Sequence, residues 1–144
     1  MTGGKRSPAG PRRRRGPSPG ARVSREEFLR LAERAFAEIP PSFRDSLVNV
    51  ELAVRAAPGP EAGRWRGSRD LLGLYEGPTR EEMLYPDAGA HLPARVVLYQ
   101  RNIEAACRTR PELIGEIRTT LRHELAHHFG FSDEDLRERW PEGA

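Results

Sequence analysis

The stretch HELAHHFGFSD, residues 123–133, places His123 and His127 four positions apart, with Glu124 next to the first. On an α-helix, residues four apart lie one turn along and within about 40° of each other. Both imidazoles then project from the same side and reach one metal ion. Zinc accepts neutral imidazole nitrogens at about 2.0–2.1 Å. Glu124 reaches a water activated by such a metal without being a ligand. Zinc brings the pKa of that water towards neutrality, and a neighbouring carboxylate takes and returns its proton. The chemistry is hydrolysis, and it requires these residue types at this spacing.

A third ligand is expected just beyond. If the helix ends at Gly130 in a left-handed turn, the chain folds back and Asp133 brings a carboxylate oxygen to the metal. Asp135 and Glu138 are the alternatives. Asp133 also favours the N-terminus of a following helix, and both roles are compatible. Such a two-nitrogen, one-oxygen set also takes neighbouring transition ions. His128 is different, because it falls on the stripe of Ile117, Leu121 and Leu125. It is expected to be a buried structural histidine. His123 and His127 share another face with Glu116 and Thr120.

Several elements must position this helix. Thr109-Arg110-Pro111-Glu112 is a capping box with proline in the first turn, so the helix is predicted from there to about Phe129. A short C-terminal helix follows from Ser132 to near Trp140. An N-terminal helix opens at Ser24-Arg25-Glu26-Glu27 and carries Phe28, Leu31, Ala32, Ala35, Phe36 and Ile39 until Pro40-Pro41. Three strands are expected at Leu47–Val54, Leu71–Tyr75 and Arg95–Tyr99, with one helical turn at Arg80–Leu84 between the last two. The fold class is α+β: a small mixed sheet packed on the N-terminal and metal-bearing helices.

The 144 residues suffice for one domain and some loose chain. Residues 1–22 hold seven basic side chains, no acid and almost nothing apolar, and read as a disordered Arg/Pro/Gly-rich tail. That tail carries +7 against +3 for the whole chain, which leaves −4 for residues 23–144. The high isoelectric point belongs to the tail, which is suited to weak nucleic-acid contact. With no aromatic residue interleaved to stack on bases, it is at least as readily a solvated extension. No run of about 18 apolar residues exists, so no membrane span is expected, and no apolar segment suggests a secretory signal. One cysteine, Cys107, excludes an intramolecular disulfide and a cysteine-based zinc site. A cytoplasmic location fits. One lysine beside 23 arginines points to a GC-rich genome.

Residues 123–133 resemble the metzincin-type HExxHxxGxxD motif with aspartate as third ligand. More closely, Val96 through Leu136 resembles the bacterial minimal zincin family of short metallopeptidase-like proteins. The resemblance implies a zincin-like fold, zinc on His123, His127 and Asp133, and Glu124 as general base. It also implies that the strand Arg95–Tyr99 is the edge on which a substrate peptide or unfolded protein segment pairs. Metzincins carry a methionine after the third ligand, whereas the 11 residues following Asp133 contain none. Candidates for stabilising an oxyanion are Tyr99, Tyr85, His91 and Arg101. The leading expectation is a zinc-dependent peptidase. A non-catalytic zinc-binding interaction domain and a metal-dependent endoribonuclease are the alternatives.

Overall fold

The computed structural model describes Arg12, residues 21–44, 50–77 and 94–130, and Ser132, Glu134, Arg137 and Glu138. The expected turn at 80–84, the start of the first strand at 47–49, Tyr85, His91, Asp133 and Asp135 lie outside the described residues, as does the tail apart from Arg12, Ala21 and Arg22.

Helix α1 spans Arg25–Ala37, and the Ser24 hydroxyl accepts from the Glu27 N–H at 3.0 Å. This is the cap its sequence specifies. A short α2, Pro41–Arg44, follows the double proline. The strands are β1 Val50–Arg55, β2 Gly73–Glu76 and β3 Ala94–Tyr99, with a 3₁₀ segment at Pro60–Trp65 between β1 and β2. Helix α3, Gln100–Ala105, continues from β3, and α4 spans Arg110–Phe129. Beyond it Glu134, Arg137 and Glu138 are helical. Among the described residues no helix is long and apolar enough to cross a membrane.

The sheet order is β1-β3-β2, with β1 parallel and β2 antiparallel to β3. The expectation that Arg95–Tyr99 forms the free edge is therefore corrected: this strand is central. Its unbroken apolar run explains why. Val96 and Leu98 face the main core with Phe28, Ile117, Leu121 and Leu125, while Val97 and Tyr99 face a second cluster with Ala62 and Leu71. A strand covered on both faces needs no polar alternation. On β1, Val50, Leu52 and Val54 pack into the main core and Ala53 against the second cluster, as its alternation predicts.

The core joins α1 and α4 through Phe28, Leu31, Ala32, Leu113, Ile117 and Leu121, all buried. Arg110 of α4 also pairs with Glu27 of α1. Residues entering α1 are tied to α3: the Glu104 carboxylate accepts from the Val23 N–H at 3.0 Å and from Gln100 at 2.9 Å, and its carbonyl from the Ala21 N–H. Cys107 is buried and its thiol is pushed up to about 12 by burial, which disfavours the thiolate a nucleophile needs.

Beneath the second cluster, Glu61 Oε2 accepts from the Gly59 N–H at 3.0 Å and from the Tyr99 hydroxyl at 2.9 Å. Burial alone would raise its pKa. The N–H groups of Gly59 and Glu61 and the Tyr99 hydroxyl outweigh that and hold it below the ordinary 4.5. A depressed carboxyl stabilises the fold above its unfolded pKa, and the contribution is lost as pH falls through the folded value. Acid unfolding of the wild type should therefore steepen below about pH 4.5, and Glu61→Gln should flatten that dependence. Circular dichroism melts across about pH 2.5–6 check this; identical pH profiles would refute it.

Candidate metal centre

Helix α4 positions the motif through its two ends. Thr109 Oγ1 accepts from the Glu112 N–H at 3.2 Å, and Pro111 sits in the first turn. At the far end Gly130 has φ 76°, ψ 21°, and its N–H returns to the carbonyls of Ala126 and His127. A side chain there would meet the left-handed penalty of about 1–2 kcal/mol. The helix thus ends where the sequence expects, three residues before Asp133.

His123 and His127 lie on one half-exposed face, with ring centroids 6.2 Å apart. That separation is in reach of shared coordination by two imidazoles at about 2.0–2.1 Å each. Among the described residues no third His, Cys, Asp or Glu joins them, and Glu138, one alternative third ligand, is exposed and does not. His128 is 1% exposed, with Nδ1 3.5 Å from the Tyr75 hydroxyl, the structural position its helix phase predicts.

Glu124 is fully buried. Its carboxyl is pushed up to about 8 by burial, against the opposing pull of the N–H groups of Arg12 and Tyr75 and the Arg12 charge. Oε2 accepts from the Arg12 N–H at 2.9 Å, while Oε1 is buried and accepts no hydrogen bond among the described residues. An acceptor kept in that state suits a water, and the two imidazoles are nitrogen donors of the kind zinc takes.

Strand β2 brings the rest of the site against α4. Gly73 permits the approach: a Cβ there would stand 2.7 Å from Thr120 Cγ2, 3.1 Å from the Val97 carbonyl and 3.3 Å from Glu124 Cγ. Gly73→Ala is expected to destabilise the fold by roughly 1–3 kcal/mol, measured by denaturant unfolding; unchanged stability would mean the strand has room to shift. Before β2, buried Asn102 donates to the carbonyls of Ser68 at 2.9 Å and Leu71 at 2.7 Å. Tyr75 packs edge-on against both histidines 127 and 128, with centroids 6.3 and 6.1 Å away.

Two of the expected oxyanion stabilisers are elsewhere. Tyr99 is fully buried and donates to Glu61, and Arg101 lines a concavity with Ala57, Gly67, Ser68 and Arg69 rather than the face of α4. Another concavity, about 790 Å³, runs along β1 and the start of α1, also away from the histidines. Sequence reading missed Tyr75 and Arg12. Tyr75 sat in a strand with no signal of its facing, and Arg12 sat in a tail with almost nothing apolar to suggest docking.

A family model described as zincin-like metallopeptidase matches residues 47–141. The chain belongs to that family. Among solved structures this zincin-like chain is similar to a conserved hypothetical protein from Thermo thermophilus, at 27% identity. The match covers 81% of this chain and 99% of that one, with a TM-score of 0.53. No curated protein matches at a significant level. The family accounts for the α+β architecture.

Proposed function

We propose that this chain is a zinc-dependent peptidase, with His123, His127 and Asp133 as metal ligands and Glu124 as general base. The observation that carries the reading is Glu124: a fully buried carboxyl on the helix that carries two imidazoles spaced for one metal, packed against Gly73 of β2. Burying such a group costs stability, and carboxyls perturbed in this way cluster at functional sites. Gly130 turns the chain so that Asp133 follows within three residues.

Zinc, when bound here, supplies the Lewis acid that activates water and polarises the carbonyl. The chain's own residues do the rest. Glu124 takes a proton from the attacking water and delivers it to the leaving nitrogen. Among the described residues β2 is an outer strand, and its edge, rather than β3, offers main-chain groups to an extended peptide. His128 and Tyr75 hold the helix and that edge together. Glu116 and Glu124, both near the histidine face, disfavour a phosphodiester, which sets the endoribonuclease reading behind the peptidase one. A buried single cysteine suits a reducing compartment such as the cytoplasm.

The test is chelator-sensitive cleavage of an unfolded protein by the zinc-loaded chain, read by mass spectrometry. Cleavage lost with chelator and restored by zinc is expected. Stoichiometric zinc without cleavage of any peptide would instead make this a non-catalytic metal-binding domain.

A further inference from the structure

Arg12 is the one described residue of the first twenty, and it lies in the site. Four hydrogen bonds hold it. Its N–H donates to Glu124 Oε2 at 2.9 Å, and its carbonyl accepts from the Leu72 N–H at 2.6 Å. Its guanidinium grips Glu116 with both a fork and a charge: Nε to Oε2 at 3.0 Å and a terminal nitrogen to Oε1 at 3.3 Å. Glu116 is itself oriented by the Thr120 hydroxyl at 2.8 Å.

Each contact has the form of peptide recognition. Leu72 immediately precedes β2, its carbonyl accepts from Tyr99 of the central strand, and its N–H serves the added chain. Main-chain bonds of this kind hold any sequence, and side-chain pockets choose among them. The pocket here is a carboxylate two turns before Glu124 on the same helix, with side-chain exposure of 18% against 31% for Arg12. A two-point carboxylate fork suits planar guanidinium better than the single ammonium of lysine.

Position on the peptide follows from the chemistry. A general acid must lie within hydrogen-bond reach of the nitrogen it protonates. The nitrogen held by Glu124 is that of Arg12. We propose that Glu116 is the specificity residue of the cleft, selecting arginine on the leaving-amine side of the scissile bond, and that Arg12 occupies this subsite as a built-in competitor. The inference rests on the peptidase reading for the cut, though the arginine subsite stands without it. In the reaction, the water oxygen bonds to the carbonyl carbon preceding the arginine, and that C–N bond breaks. The proton taken by Glu124 passes to the arginine's nitrogen. While the arm is docked, its N–H engages the oxygen that this transfer needs.

The test uses the full chain with Arg12 to Arg15 all replaced by alanine, since a neighbouring arginine could take the place of Arg12. The probe is a labelled Gly-Pro-Arg-Gly-Pro peptide, with Gly-Pro-Ala-Gly-Pro as control, read by fluorescence anisotropy. The arginine probe is expected to bind the alanine variant at least about fivefold more tightly than the wild type. It should exceed the control by about tenfold or more, and adding Glu116→Gln should remove that preference. Equal binding of both probes, or a preference that survives Glu116→Gln, overturns the proposal. Cleavage sites on a random peptide mixture separate the two readings. Cuts falling just before arginine support both. Cuts with no arginine preference overturn the subsite while the peptidase stands. Selective binding with no cut upholds the arginine subsite and removes the peptidase reading.

Discussion

Glu124→Gln is expected to retain zinc and to lose peptide hydrolysis by a factor on the order of 10² to 10⁴. The substitution keeps the shape of the side chain and removes only its ability to carry a proton. Glu124 is not among the proposed ligands, so the imidazoles of His123 and His127 keep their metal. Its buried site beside Gly73 and Thr120 is tight, and an isosteric amide introduces no clash where a larger side chain would. The loss should therefore appear in kcat/KM with no loss of thermal stability and unchanged zinc on elemental analysis. A variant that cleaved peptides at the wild-type rate would assign the proton transfer to another group. A variant that lost zinc would make Glu124 a ligand.

How the site could be read in sequence, and where it could not, follows from the range of the forces involved. The ends of α1 and α4 were legible because capping is local: Ser24, Thr109 and Gly130 each act on groups within four residues. The pairing of His123 with His127 was legible for the same reason, since helical periodicity alone brings them together. Strand order was not. The run RVVLY fits an edge or a centre by its length, and the choice of centre depends on strands distant in sequence, β1 above all. Its lack of polar alternation was the signal that both faces are covered, and the expected edge role overlooked it. Strand ends differed for similar reasons: β2 begins at Gly73 rather than Leu71, because Leu71 and Leu72 are held by Asn102, Tyr99 and Arg12. Arg12 was the least legible of all. Its contacts with α4 span more than 100 positions, and the run of arginines it opens gives composition no means of singling it out. Tyr99 was a reasonable electrophile from sequence, yet its hydroxyl is committed to Glu61 below the sheet.

His127→Ala should lower zinc affinity by more than about 100-fold, beyond the roughly 10–100-fold that outer partners of a metal site typically cost. Removing one imidazole leaves His123 and the proposed Asp133 carboxylate, too few donors to hold zinc against water. The same substitution should cost the fold less than loss of its buried neighbour, because His127 is only half-buried. His128→Ala makes the contrast that gives the result meaning. That side chain is 1% exposed, lies in the core phase of α4 and sits 3.5 Å from the Tyr75 hydroxyl. Its loss should destabilise the protein by roughly 1–3 kcal/mol while zinc stays bound. Two adjacent histidines are thereby separated by orthogonal readouts, metal content for one and unfolding free energy for the other. If both variants kept zinc, the pair would be a polar helix face rather than a metal centre. If His128→Ala alone lost it, the ligand would be the buried histidine, and the helix phase that assigns His127 to the metal would be the step in error.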